Sequence, residues 1–287
     1  MRRLQITHVT RYRYSQPVKL QSHQLMLRPR EGHDIRIESS RLSIQPQNKV
    51  HWHRDVHGNS VAVVEFVNEA AFLDFDSKVV IEHYEDKPVE FSLDNRAKHY
   101  PFQYDAGERA DLAPYLQPLF TPRVDTIRKW VDEFWKPGQT LPTLDLLEQM
   151  NQAIPAQLKY RKREAAGVQR PSETLSLGSG SCRDLATLFM EACRHLGLAA
   201  RFVSGYRYDP NLSPGEGATH AWCEVYLTGA GWRGYDATIG ARTGGDHIAV
   251  AVARHPEWIP PVAGSYHGQS ESTMEVSVAV TQLGGLE

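Results

Sequence analysis

The sequence predicts an α+β protein, in which an N-terminal antiparallel β-sandwich precedes a core that combines helices with antiparallel strands. Two observations predict this class. Residues 1–92 alternate between apolar and polar side chains in short runs, whereas apolar residues recur every three or four positions from about residue 95. Further along, a glycine-rich turn at 178–180 leads into one strongly periodic helix, and alternating strands follow it.

The N-terminal region is predicted to form strands because its β-branched and apolar residues alternate. Turn-forming residues separate these runs at 30–32, 45–48 and 57–59. Several short strands at this spacing are typical of an antiparallel sandwich. The predicted strands are Leu4–Tyr12, Arg36–Ile44, Val61–Val67 and Lys78–Tyr84.

Helices are predicted over Asp111–Leu119, Val124–Trp135 and Leu144–Ile154, where apolar residues follow helical spacing. The pattern changes between Asp86 and Gly107, so this stretch marks a domain boundary. We therefore predict a β-rich domain over residues 1–92 and a core domain over residues 93–287.

Composition excludes several classes of protein. The net charge of -2 and the scattered Lys and Arg residues do not fit a nucleic-acid-binding protein. No apolar run approaches the ~20 residues of a membrane-spanning helix, and the basic N-terminus is not followed by the apolar run of a signal peptide. Three cysteines do not form a disulfide framework and favour a reducing compartment. We expect a cytoplasmic protein.

Two clusters in the N-terminal region resemble metal sites but do not complete one. His51 and His53 share a strand face near His57, yet a clear third and fourth zinc ligand is missing, so the polar face of a strand is the preferred interpretation. The acidic residues from Asp74 to Glu85 mimic a calcium loop, but Val79 stands where the turn needs glycine. We predict no metal and no cofactor.

Cys182 is the candidate nucleophile, because the sequence provides two devices that favour a thiolate. A free thiol has a pKa of ~8.5 and is mostly protonated at neutral pH. Ser181 is a suitable N-cap and Asp184 a short version of the capping-box acid, so Cys182 falls in the first helical turn, where amide groups and the helix dipole favour an anion. Gly178 and Gly180 permit a tight approach, and the Cys182 backbone N–H is a candidate oxyanion donor. Leu185, Leu188, Phe189, Ala192, Cys193 and Leu196 form the predicted buried stripe of the helix.

The second device is an imidazole. His220 begins the alternating strand Thr219–Leu227, and a turn at Gly229–Gly231 leads into a strand that ends at Asp236. Asp236 could orient the imidazole while its other nitrogen faces the thiol. A plain ladder that pairs Asp236 with Glu224 leaves His220 about 13 Å away, so we predict a bulge, a bend or a different register.

The remaining candidates have simpler interpretations. Cys193 and Cys223 fall on apolar faces and are predicted to be small core residues. Spacing alone leaves a structural role for Cys182 and His220 about as probable as a catalytic one. The basic cluster Lys159–Arg163 is predicted to be a solvated face, with a role near a substrate cleft as the alternative.

Four blocks of sequence, in this order, resemble the bacterial transglutaminase-like family of the papain-like cysteine enzymes. Residues 7–14 and 52–59 are also similar to the β-rich companion domain of a bacterial branch, so the resemblance covers most of the chain. The blocks are Gly180–Ala186, Ala199–Tyr206, His220–Tyr226 and Gly231–Thr238.

The resemblance implies a papain/transglutaminase-like core with Cys182 as nucleophile, His220 as general base and acid, and Asp236 as orienting residue. Two departures concern local packing or substrate contacts. Ala237 stands where the family often has proline, and Leu185–Thr187 replaces an aromatic-Ala-His sequence.

The function expected from these residues is an enzyme that acts on amides of a peptide or protein substrate through a thioester. If water accepts the acyl group, the enzyme is a peptidase or amidase; if an amine accepts it, the enzyme is a transglutaminase. We slightly prefer hydrolysis or amidotransfer on a peptide-like substrate. No calcium site is evident. Two alternatives remain, a non-catalytic binding or scaffold protein that keeps the fold and an arylamine acyltransferase-type enzyme.

Overall fold

The computed structural model describes residues 1–85, 90–120, 124–163, 165–211 and 219–284. Within these ranges the helices are α1 (Ala106–Leu116), α2 (Val124–Val131), α3 (Thr143–Gln157), α4 (Pro171–Leu177) and α5 (Cys182–His195), with single 3-10 turns at Asn95–Ala97 and Pro256–Trp258. The strands are β1 (Arg2–Leu20), β2 (His23–Leu25), β3 (Ile35–Gln45), β4 (Asn48–Arg54), β5 (Ser60–Phe66), β6 (Ala70–His83), β7 (His99–Tyr100), β8 (Leu141–Pro142), β9 (Lys159–Tyr160), β10 (Ser179–Gly180), β11 (Ala200–Arg207), β12 (Thr219–Leu227), β13 (Gly231–Asp236), β14 (Ala241–Arg242), β15 (His247–Ala253), β16 (Val262–Ala263), β17 (Tyr266–His267) and β18 (Ser272–Gln282).

Two antiparallel sheets form the N-terminal region. One has the strand order β17-β1-β6-β3, with β18 also paired to β1, and the other has the order β16-β2-β5-β4. Apolar side chains from both sheets form one buried cluster, which includes Leu25, Val64, Leu73 and Phe75. This burial drives the two sheets together. The predicted antiparallel sandwich is confirmed.

The core region is built on an antiparallel sheet of order β14-β13-β12-β11-β15, with α5 packed against it. Phe189 of α5 lies with its ring centroid 5.5 Å from that of Tyr235 on β13, and both side chains are fully buried. The helix packed on an antiparallel sheet that the resemblance implied is therefore confirmed.

The helices before α5 differ from the sequence prediction at their ends. α1 begins at Ala106 rather than at Asp111, because the Asp105 side chain accepts a hydrogen bond from the Glu108 N–H at 2.9 Å and caps the helix. α4 was not predicted; it ends at Gly178, whose φ of 61° is the left-handed conformation that closes a helix. In the described ranges, no helix combines the length and apolarity needed to cross a membrane.

The C-terminal segment returns to the N-terminal sheets. β16 pairs with β2, and β17 and β18 pair with β1, whereas the predicted boundary assigned this segment to the core. Its alternating residues complete the hydrogen bonding of β1, which would otherwise present an open edge. The division at residues 92 and 93 remains a prediction, but strands beyond residue 261 complete the first region.

Asn59 joins the two regions. Its fully buried side-chain amide donates to the Val252 carbonyl at 2.8 Å and accepts from the Val252 N–H at 2.9 Å, which imitates the pairing of a neighbouring strand. Arg30 adds a backbone bond to the Ala249 carbonyl at 2.8 Å. The turn at residues 55–59 thus covers the free edge of β15, the strand on which His247 lies.

Candidate active site

Cys182 is the first residue of α5 and is almost buried, with 9% of its surface exposed. At this position its backbone N–H has no partner one turn earlier in the helix, and the helix dipole is positive. The predicted apolar stripe of α5 is buried, and so are polar residues around the helix such as Asp184, Thr187 and Glu191. The helix is enclosed rather than half-exposed, which holds its first residue firmly.

Asp184 fixes the turn that carries Cys182. Its fully buried carboxylate accepts from the Ser181 N–H at 2.9 Å and from the Ser181 hydroxyl at 2.8 Å. It also accepts from the Gln169 N–H at 2.7 Å and from Arg163 Nε at 3.1 Å. Burial alone would raise the pKa of this carboxyl, but the Arg163 guanidinium and the backbone donors hold it below 3.8. The carboxylate therefore stays charged.

The basic cluster Lys159–Arg163 divides into two parts. Residues 159–162 are exposed, as predicted for a solvated face, whereas Arg163 is half-buried and paired with Asp184. β9, at the start of the cluster, pairs in parallel with β10, which directly precedes the nucleophile turn. The half-exposed Tyr160 pairs with Gly180 and so lies beside the turn that carries Cys182.

Gly180 is required for the packing of this turn. A Cβ atom added there would lie 2.8 Å from the Asp184 Cβ and 3.2 Å from Gln169 Oε1. Both distances are too short for a side chain unless the neighbouring groups move. The tight approach that the sequence predicted at Gly180 is confirmed.

His220 and Asp236 meet through a change of register. In the β12–β13 ladder Leu227 pairs with Gly231 and Cys223 with Tyr235, where the ladder ends. One further step would place Asp236 opposite Trp222, which is two residues from His220 instead of the four of a plain ladder. His220 Nε2 lies 2.7 Å from Asp236 Oδ2. The predicted different register is confirmed, and no bulge is present in this ladder.

Cys182 interacts with the other side of the His220 ring. Burial would lower the pKa of His220, but hydrogen bonds from the ring to Asp236 and Cys182, together with their charges, raise it from 6.5 to about 9. Because Nε2 donates to Asp236, Nδ1 is the ring nitrogen that remains for the thiol. The structure thus brings the three predicted residues together, while their catalytic roles remain a prediction.

Asp236 has no exposed surface, and its carboxylate accepts three hydrogen bonds. Oδ2 is shared by His220 Nε2 and by His247 Nε2, the second at 3.0 Å, and Oδ1 accepts from the Thr238 N–H at 2.9 Å. Burial would raise the pKa of the carboxyl, but the two histidines hold it far below its usual value. Asp236 is therefore an anion at all ordinary pH values.

Sequence reasoning missed His247 and Asp246. His247 Nδ1 lies 2.8 Å from Asp246 Oδ1, and Arg207 Nε donates to Asp246 Oδ2 at 3.2 Å. The buried Trp222 packs beside both histidines, with its ring centroid 6.2 Å from that of His220 and 5.2 Å from that of His247. The sequence feature that could have indicated these two residues is the Asp-His pair after Gly244-Gly245, at the start of the strand His247–Ala253.

Cys193 and Cys223 are fully buried, as predicted for core residues. Burial raises the pKa of both thiols, so both stay protonated. Neither is suited to act as a nucleophile at neutral pH.

One group of potential metal ligands occurs in the ranges that the structure describes. The ligand atoms of His220, Asp236 and His247 lie within 4.8 Å of one another. Both histidines are hydrogen-bonded to the same carboxylate oxygen, which accounts for their closeness, so we interpret the group as a hydrogen-bond network and not as metal ligands. Of the histidines near residue 53, His57 bonds through Nδ1 to the Tyr115 hydroxyl at 2.9 Å.

Comparisons with known proteins show similarity to transglutaminase-like proteins in both regions of the chain. Residues 4–82 match the bacterial transglutaminase-like N-terminal region, and residues 129–237 match the transglutaminase-like superfamily. An uncharacterized protein of Mycobacterium tuberculosis is 28% identical over 99% of this chain and 94% of its own. One from Mycobacterium leprae is 25% identical over 99% of this chain and all of its own length.

A solved structure shares the whole fold. It is that of a Cytophaga hutchinsonii protein provisionally named a cysteine protease, and the superposition has a TM-score of 0.77 at 18% identity. The match covers 100% of this chain and 92% of the other. At this identity the likeness establishes the fold alone.

Proposed function

Because this chain belongs to the transglutaminase-like superfamily and carries the bacterial N-terminal region, we propose that it is a cysteine-dependent enzyme acting on amide or peptide bonds. The observation that carries the proposal is the position of His220, which interacts with Cys182 on one side and with Asp236 on the other at 2.7 Å. This order of thiol, imidazole and carboxylate is the arrangement that nucleophilic catalysis requires.

The first half of the reaction forms a thioester. The Cys182 thiolate attacks the carbonyl carbon of the amide, and the oxygen becomes an oxyanion near the N-terminus of α5. The backbone N–H of Cys182 is suited to stabilise that oxygen because it has no helical partner. When the C–N bond breaks, His220 donates its proton to the leaving nitrogen, and ammonia or an amine departs.

The second half consumes the thioester. His220, now neutral, accepts a proton from water or from an amine as that molecule attacks the thioester carbonyl. Water yields a carboxylic acid, and an amine yields a new amide; both restore the Cys182 thiolate and the His220 imidazolium. We favour hydrolysis or amidotransfer on a peptide-like substrate, and the steps need no cofactor.

Asp236 contributes orientation and charge. Since it donates no proton, it acts by holding the His220 ring with Nε2 directed inward and by stabilising the imidazolium. His220, His247 and the Thr238 N–H hold the carboxylate in the anionic state against the effect of burial. The half-exposed Tyr160 pairs with Gly180, two positions before Cys182, so we expect the substrate to enter from the side of residues 159–163.

The proposal is tested by trapping the acyl-enzyme. The protein is incubated with a set of glutamine-containing peptides and with an activated ester, quenched in acid and measured by intact-mass spectrometry and peptide mapping. We expect an acyl adduct on Cys182 that Cys182→Ala abolishes and that Cys193→Ala retains. Adding a primary amine and following product masses then separates transfer from hydrolysis.

Two outcomes would contradict the proposal. A folded protein whose Cys182 takes no acyl group from any of these donors would support a scaffold protein. Acylation by an acyl-coenzyme A thioester, but by none of the amides, would support the arylamine acyltransferase-type alternative.

A further inference from the structure

His247 is the second partner of the candidate catalytic carboxylate. Its Nε2 atom lies 3.0 Å from Asp236 Oδ2, the same oxygen that His220 contacts. Its Nδ1 atom lies 2.8 Å from Asp246 Oδ1. The side chain is 3% exposed, so bulk water does not replace these contacts. One imidazole is thus enclosed between two carboxylates.

The two carboxylates decide the protonation of this ring. An ionised carboxylate only accepts hydrogen bonds, so each ring nitrogen of His247 must donate, and a ring that donates from both nitrogens is an imidazolium. The Gly244 N–H points at Nδ1 from 3.4 Å, a longer contact than that to Asp246. Hydrogen bonds to Asp236 and Asp246 raise the pKa of His247 against the lowering effect of burial, which agrees with the charged form.

Charged and titratable groups reach His247 from several strands. The ring centroids of His220 and His247 are 6.0 Å apart, and His83 on β6 contacts the His247 carbonyl through Nε2 at 3.3 Å. Cys182 acts on His220, which belongs to the same network. In the described part of the chain, the groups around His247 are Asp236 on β13, His220 on β12, Arg207 on β11 through Asp246, and His83 on β6.

We propose that His247 is a positioning residue that is held as an imidazolium between Asp236 and Asp246, orients the Asp236 carboxylate and offsets part of its charge. The inference rests on the proposed function of Cys182, His220 and Asp236. Because Asp236 is shared between two cations, it attracts the proton of His220 less strongly than an unshared carboxylate would. His247 thereby lowers the pH at which His220 loses its proton.

The consequence is a shift in pH dependence rather than a simple loss of activity. In His247→Gln the amide can still donate to Asp236, but the positive charge is gone. His220 then loses a neighbouring like charge and holds its proton more tightly. We expect the alkaline limb of the His220 titration, where the ring loses its second N–H proton, to move upward by about one pH unit.

The test follows the protonation of His220 by NMR of ¹⁵N-labelled histidine rings between pH 5 and 11 in the full chain. His23→Gln is the matched control, because His23 is another buried histidine, bonded to the Gln21 carbonyl and located on β2 in the N-terminal sheets. If His247 were only structural, His247→Gln would lower the fraction of folded protein but leave the alkaline limb at the same pH. An unmoved limb in folded His247→Gln would therefore overturn the inference.

A measurement on the unaltered protein covers the case in which His247→Gln does not fold. With ¹⁵N-labelled histidine, NMR at pH 7 reports the protonation of each ring nitrogen. We expect both nitrogens of His247 to be protonated, and a neutral ring would overturn the inference. If Asp236→Asn and His220→Gln also leave Cys182 alkylation unchanged, the proposed function fails; if they slow it while His247→Gln leaves the alkaline limb of the His220 titration unmoved, only the role of His247 fails.

Discussion

His220 Nε2 lies 2.7 Å from Oδ2 of Asp236, although 16 positions separate the two residues along a hairpin. The β12–β13 ladder ends at the Cys223–Tyr235 pair, so both residues lie just beyond its last rung, on the same face of the sheet. The side chains of His220 and Asp236 can therefore meet, and the His220 ring also interacts with Cys182 at the start of α5.

Replacing Asp236 by asparagine should slow the chemistry of Cys182. The asparagine amide would keep the size of the side chain but not its charge, so the imidazolium of His220 loses its stabilising partner. We expect Asp236→Asn to reduce the rate of Cys182 alkylation at pH 6 by about 10-fold to 100-fold. Asp111→Asn, on the exposed face of α1, is the control and should leave the rate unchanged. Equal rates in both variants would refute the role of Asp236.

Protein stability should depend on pH through His220. Its pKa is raised from 6.5 in the unfolded chain to about 9 in the folded protein. The stabilisation is therefore fully present below pH 6.5 and is lost as pH rises through about 9. Urea unfolding of the wild type and of His220→Gln should differ by a pH-dependent part on the order of 3 kcal/mol at pH 6, which disappears above pH 9. A difference that is constant across this range would contradict the charged pair.

Breaking the contact between Arg163 and Asp184 should loosen the helical turn that carries Cys182. Arg163→Ala leaves the fully buried Asp184 carboxylate without its charged partner, and we expect a loss of about 2 kcal/mol in the free energy of unfolding. Alkylation of Cys182 should also become slower. The neighbouring Arg161→Ala serves as the control, because that residue is exposed, and chemical denaturation should show no significant change for it.

Asn59→Ala should detach the β4–β5 turn from the edge of β15. Both backbone groups of Val252 lose their side-chain partner, and the change should cost about 2 kcal/mol of stability. Amide hydrogen exchange gives the local measurement, with faster exchange expected at Val252 and no change at Leu188 inside α5. Unchanged protection at Val252 would show that Asn59 does not join the two regions.

The sequence was sufficient to predict the elements that depend on local pattern. The alternation of Leu4–Tyr12 predicted β1, and the glycine turn followed by the apolar stripe predicted α5 with Cys182 at its first turn. The β12–β13 hairpin was predicted, but the pairing of its two strands was predicted two residues away from the observed register. A turn containing Gly229 and Gly231 allows more than one such pairing.

Long-range contacts could not be predicted from local pattern. Nothing in the alternation of Ser272–Gln282 indicates that β18 pairs with β1 and not with the core sheet. Likewise, His247 follows His220 by 27 positions and contacts Asp236 although β11 and β12 separate β15 from β13 in the sheet. Such contacts depend on the order of strands in the sheet, which the hydrophobic period does not encode.

The central claim, that Cys182 is an activated nucleophile, is tested most directly by the pH dependence of its alkylation. Iodoacetamide is reacted with the native protein at pH 6 and at pH 8, and the rate for each cysteine is measured by peptide mapping. We predict that Cys182 reacts at nearly the same rate at both values and that Cys193 and Cys223 remain unlabelled. An ordinary thiol would react about 100-fold more slowly at pH 6, and that result for Cys182 would contradict the account.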